Sequence, residues 1–122
     1  MMWEFTFYED ARGRAPAKTF LDKLTDLKQR AFVVAKLEYY ATLPVLAPPH
    51  YKRFTNYPVN FGELIIGDYR IFVHRVSANT KEYTMLHAFR KQSQKTPAAE
   101  IDVAFGRVLD FISREDYEKE ER

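Results

Sequence analysis

The sequence predicts an α+β fold: an N-terminal strand, a helical segment, an antiparallel sheet of three or four further strands, and a closing helix. Three observations carry this. Trp3, Phe5 and Phe7 alternate with Glu4, Thr6 and Tyr8, the period of a half-buried strand. Apolar residues recur every three or four positions over 20–41 and again over 101–112, the period of an amphipathic helix. Between them, Gly67-Asp68 separates two β-rich runs by two residues, a hairpin signal. Helices segregated from a run of hairpin strands imply an α+β sandwich, with a helix on one face of the sheet and the other face left open for a partner. The length, 122 residues, fits one domain spanning 1–122 with a core of its own.

The elements follow in order. After the strand Trp3–Tyr8, the stretch EDARGR reads as a turn. From Pro16 a helical stripe runs through Leu24, Leu27, Ala31, Val34, Leu37 and Ala41. Thr25-Asp26 offers an internal cap, which leaves one long helix and a helical hairpin both open. Pro44, Pro48 and Pro49 end the helical pattern by removing donors and fixing φ. Tyr51–Tyr57 mixes aromatics with cations; Phe61–Ile66 and Tyr69–Val76 flank the hairpin. Alternation over Tyr83–Phe89 sets Tyr83, Met85, His87 and Phe89 on one face and Thr84, Leu86 and Ala88 on the other. Thr96-Pro97 reads as a cap followed by proline at the first helical position. Ile101, Ala104, Phe105, Val108, Leu109 and Ile112 form the stripe of the last helix, and the charged tail REDYEKEER is expected to fray.

Composition narrows the chemistry. With no cysteine, disulfides, thiolate metal sites and cysteine nucleophiles are excluded. The acidic start MMWEFTFYED is unlike a signal peptide, and no run approaches the roughly 20 apolar residues of a membrane span. A cytoplasmic protein without membrane contact is the expectation. The net charge of +2 is unevenly placed: residues 50–95 carry eight Lys or Arg against three carboxylates, while residues 96–122 carry four against eight. A basic sheet attracts polyanions. Tyr51, Tyr57, Tyr69 and Tyr83 lie among those cations and are candidates for stacking on bases. No phosphate-binding glycine loop, dinucleotide fingerprint or zinc motif is present, and His50, His74 and His87 lack metal-ligand spacing, so no metal and no cofactor is expected.

Metal-free phosphoryl chemistry on RNA fits what remains. RNA supplies its own nucleophile, the 2′-hydroxyl, and a protein need only align it, move protons and neutralise charge. Arg70 and Lys91 are the candidate phosphate holders and His87 a candidate proton carrier. Against this, His87 on the Met85 face reads equally as a core histidine, and Arg70 as one half of a cross-strand ion pair.

The segment LHAFRKQSQKTPAAEIDVAFGRVLDF, residues 86–111, resembles the HigB-like, phage-derived branch of the RelE toxin superfamily. Leu86, His87, Phe89, Lys91, Gln94, Lys95, Thr96, Pro97, Glu100 and Ile101 match that branch, as do Gly67, Tyr69, Arg70 and Ile71 of the hairpin. The resemblance implies a RelE-like fold and the toxin of a type II toxin–antitoxin pair. Such toxins cleave mRNA in the ribosomal A site by 2′-hydroxyl attack without metal. A helix-turn-helix antitoxin silences them, and operator DNA is met only through that antitoxin. It implies a phosphate-binding role for Arg70 and further basic contacts at Lys91, Arg90 and Lys52. With the reading of the residues themselves, the candidate catalytic groups are Arg70, His87 and Lys91, and the candidate RNA contacts are Lys52, Arg53, Tyr69, Arg90 and Lys95. Two positions depart from the pattern: Ile65 stands where the family has an arginine, and Gln92 replaces the second lysine of a pair. A catalytically degenerate relative that only binds RNA, a ribosome or its antitoxin is the alternative, and a domain meeting an acidic peptide is a third.

Overall fold

The computed structural model describes residues 2–93 and 95–120, the last five without their side chains. Gln94 of the family motif and tail residues 121 and 122 lie outside the described residues. The element order is β1 (Glu4–Phe7), α1 (Pro16–Asp22), α2 (Leu27–Ala41), β2 (Tyr51–Arg53), β3 (Phe61–Ile66), β4 (Tyr69–Arg75), β5 (Glu82–Arg90) and α3 (Ala98–Glu120). The strands form one sheet in the order β1-β5-β4-β3-β2. β2 to β5 are antiparallel, and β1 joins β5 in parallel. This is the expected α+β, RelE-like arrangement. The helical segment resolves as a hairpin of helices: Asp26 caps α2, its carboxylate accepting from the amides of Lys28 at 2.9 Å and Gln29 at 3.4 Å.

Both faces of the sheet are covered, which corrects the expectation of one open face. On one side, Ala17 and Leu21 of α1 and Val33 and Tyr40 of α2 pack on Leu64, Ile66, Ile71, Val73 and Met85. On the other, Ala104 and Val108 of α3 pack on Phe61, Phe72 and Leu86. Each fully buried side chain of this size contributes roughly 1.5–3 kcal/mol relative to exposure. The stripe of the last helix is used as its period predicts, Leu109 excepted. The backbone of α3 runs from Ala98 to Glu120.

Two readings of periodicity are corrected. In α2 the core takes Val33 and Tyr40 with Leu37 beside them, and leaves Leu27 and Val34 exposed at 74% and 43%. In β5 the register slips: Phe72 pairs with His87, but Val73 pairs with Met85, so Leu86 is an extra residue. This bulge breaks the alternation. Leu86, His87 and Phe89 all serve the α3 side, and Ala88 turns to the α1/α2 side with Met85.

His74 on β4 is buried at 6% exposure against Phe111, and its Nδ1 donates to the Asn60 carbonyl at 2.9 Å. Burial pushes its pKa below the ordinary value of about 6.5, partly offset by that hydrogen bond. A depressed folded-state value means that the unfolded chain takes up the proton first. Stability is therefore expected to hold above pH 6.5 and to fall as pH drops through the folded value. Thermal unfolding measured from pH 7.5 to 5 should show this slope, and His74→Gln should flatten it.

Candidate phosphate-binding cleft

The β3–β4 hairpin and the end of β5 build the site. Gly67, at φ 59°, takes the left-handed conformation that the two-residue turn needs. The turn sets Arg70 one residue into β4, and alternation puts it on the α3 side with Phe72 and His74. Lys91 follows β5 directly, and its amide donates to the Asp68 carbonyl at 2.7 Å, which fixes the chain end against the hairpin. Arg70 and Lys91, with Asp68, Gln92 and Ser93, line an open cleft of about 570 Å³. Two cations and one carboxylate leave it net positive.

The guanidinium of Arg70 is preset. Its Nη1 donates to the carbonyls of Gly67 at 2.7 Å and Tyr69 at 2.9 Å, and its Nε is buried without a protein partner. A buried unpaired donor costs about 1–3 kcal/mol.

The other expected site residues fall elsewhere. His87 is not among the residues lining the cleft; it ties β5 to α3. Arg107 Nη1 donates to His87 Nδ1 at 2.9 Å and to the Leu86 carbonyl at 2.9 Å, and His87 Nε2 meets the Glu100 carboxylate. A guanidinium has only donors, so the ring accepts at Nδ1 and donates from Nε2. The expectation that His87 shares the Met85 face is thereby corrected, the bulge being the cause. Tyr69 is corrected as well. It is 5% exposed on the α1/α2 side, its hydroxyl bonded to Gln29, so its ring is closed to a base. Tyr51 and Tyr83 are buried alike, and only Tyr57 of the four tyrosines is half exposed.

Arg90 sits over the Tyr69 ring, 5.7 Å from its centroid, and 3.9 Å from Asp68, on the side of the sheet away from Arg70. Both partners of that ion pair are exposed, so it contributes little. Lys52 and Arg53 line a second cavity of about 310 Å³ with Phe54, Tyr57 and Ile101. Lys95 is exposed on the loop before α3, its carbonyl accepting from Ser93 at 3.0 Å. Among the described residues, no group of three His, Asp or Glu side chains is placed to hold a metal ion.

Sequence reasoning missed the polar ties behind the cleft. Thr96 does not cap α3 with its hydroxyl; it donates to the buried Glu63 carboxylate at 2.9 Å, while the Pro97 carbonyl accepts from Glu100 at 3.1 Å. This anchors the loop carrying Lys91 and Lys95 to β3. Thr96→Val keeps the shape but leaves Glu63 short of a donor, and is expected to cost about 1–3 kcal/mol in denaturant unfolding.

The α+β fold is consistent with a RelE-like one, with an arginine and a lysine meeting at the hairpin end of its sheet. A family model described as "Phage derived protein Gp49-like (DUF891)" matches residues 19–108, and the chain belongs to that family. The family is related to the toxins of toxin–antitoxin pairs. No curated protein matches the chain. No helix among the described residues is long and apolar enough to cross a membrane.

Proposed function

We propose that this chain is the toxin of a type II toxin–antitoxin pair and cleaves mRNA on the ribosome, in the cytoplasm. The observation that carries this reading is the meeting of Arg70, on β4, and Lys91, just past the end of β5, at one open, net-positive cleft. Arg70 and Lys91 bind the scissile phosphate and the charge growing on its oxygens. Asp68, the carboxylate in the cleft, accepts the 2′-hydroxyl proton. The 2′-oxygen bonds to phosphorus as the bond to the 5′-oxygen breaks. The products are a 2′,3′-cyclic phosphate and a 5′-hydroxyl, whose proton comes from water. The nucleophile belongs to the substrate, so positioning and charge do most of the work. Lys52 pairs with Glu63 and Arg70 with Ile65, which sets their backbones about 12 Å apart by strand geometry. Lys52 therefore lies within reach of a neighbouring phosphate, and Arg53, which lines the same cavity, and Lys95 are the further phosphate contacts of this reading. A helix-turn-helix antitoxin is the partner, and operator DNA is reached through it.

Controlled expression without the neighbouring gene tests this. Growth arrest and new 5′ ends on translated mRNA by primer extension are expected; folded protein that accumulates without either outcome refutes the reading. Two observations favour a second reading, a binder that does not cut: Ile65 is apolar where the family has an arginine, and both nitrogens of His87 are held by α3. Ribosome association without new 5′ ends would select it.

A further inference from the structure

We propose that the open edge of β1 and the outer face of α2 form one docking surface for a partner chain. The partner would add an extended segment, apolar at alternate positions and bearing Lys or Arg. The inference is independent of the cleft chemistry.

The helix supplies the first argument. Leu27, Ala31 and Val34 follow one another at helical spacing, yet all three are exposed in α2. An apolar stripe is a surface for burial, and the core of this chain buries Val33 and Tyr40 instead.

The strand supplies the second. β1 ends the sheet. Glu4 N–H donates to the Lys81 carbonyl at 2.7 Å and Tyr8 N–H to the Met85 carbonyl at 3.0 Å. In a parallel ladder alternate residues face the neighbour, so Phe5 and Phe7 turn their amides and carbonyls outward. The Phe7 side chain is 39% exposed. The opposite edge, β2, is three residues long and carries Lys52 and Arg53, the usual protection against strand addition. β1 has no cation at all.

The groove between them chooses the occupant. It encloses about 450 Å³; Phe5, Phe7, Val34 and Leu37 are among its walls, and Glu4 and Glu38 are the charged residues lining it. The free backbone edge calls for an extended segment, the apolar walls for alternating apolar side chains, and the two carboxylates for cations. A second copy of this chain fits poorly. Pairing β1 with β1 would gather Glu4 and Glu9 from each copy, with no Lys or Arg between residues 3 and 10 to offset them, Asp10 being already paired with Arg14.

Three synthetic nine-residue peptides test this on the full chain: alternating valine and lysine, a block isomer of the same composition, and a version with glutamate for lysine. Binding is followed by fluorescence anisotropy and by hydrogen exchange at the amides of Phe5 and Phe7. The alternating cationic peptide is expected to bind and to slow exchange at both amides, and the other two to bind at least about tenfold more weakly. Val34→Lys, at an exposed position, should weaken binding at least about tenfold while thermal unfolding stays unchanged. The proposal is overturned by no binding of the alternating cationic peptide, by equal binding of its block isomer, or by insensitivity to Val34→Lys. Sedimentation that shows a dimer dissociated by Val34→Lys would assign the surface to a second copy and overturn it too.

Discussion

Arg70→Ala is expected to lower cleavage of translated mRNA by about 10²–10³-fold, the loss seen when one preorganised donor to a developing oxyanion is removed. Only a head group already aimed contributes at this level, and Arg70 is aimed by its two bonds to the hairpin carbonyls. Arg70→Lys keeps the charge but not the planar fork that reaches carbonyl and phosphate together, so it should recover a minor part of the activity. The fold should lose little, because Arg70 is only half buried and water replaces its bonds to the turn. Arg90→Ala is the matching control. It removes an equal charge from a neighbouring strand end, but from the side facing Tyr69, and, touching the cleft through its exposed 3.9 Å pair with Asp68, should lower cleavage far less than Arg70→Ala. Primer-extension yields at equal protein level separate the two. Equal losses for both variants would mean that net charge matters and the cleft does not.

That contrast between Arg70 and Arg90 was legible only in part. The Gly67-Asp68 turn fixes the register of β3 and β4, and parity then places Arg70 with Phe72 and His74, as the sequence predicts. The same parity places Tyr69 in the opposite core, and a tyrosine among cations on paper becomes a buried ring in space. His87 was not legible, because a bulge is invisible to a period-two count: Leu86 adds one residue, and every face assignment after it inverts. Glu100 and Arg107 lie 13 and 20 residues from His87, so no local spacing announces their contacts with it. In α2 the true apolar stripe was read, but a stripe does not say who buries it. Leu27 and Val34 are left facing outward while Val33 and Tyr40 turn inward.

Gly62→Ala is expected to be the most destabilising alanine substitution among the four glycines. A Cβ built on Gly62 would lie 2.3 Å from the Lys52 carbonyl oxygen, 2.7 Å from the Tyr51 hydroxyl and 2.8 Å from the Arg53 Cα. The obstacle is mostly backbone, which cannot rotate away as a side chain would. Gly62 pairs with Arg53 on one side and Val73 on the other, so relief requires β2 to leave β3. Tyr51 is held in the same space, its hydroxyl buried without a partner and its pKa raised by burial. A loss of about 3 kcal/mol or more is expected, the upper range of overpacking, and thus a fall in Tm of roughly 10 °C. Gly106→Ala carries the opposite sign. It lies inside α3 with nothing within 4 Å of the added Cβ, so the gain in helix propensity, about 1 kcal/mol, is unopposed. Thermal unfolding of the two variants should move in opposite directions. Because β2 carries Lys52 and Arg53, Gly62→Ala should also loosen the second cationic cavity while leaving the hairpin of Arg70 in place. Amide exchange should then quicken along β2 first and spare Tyr69–Arg75, and a uniform rise over both strands would contradict this account of Gly62.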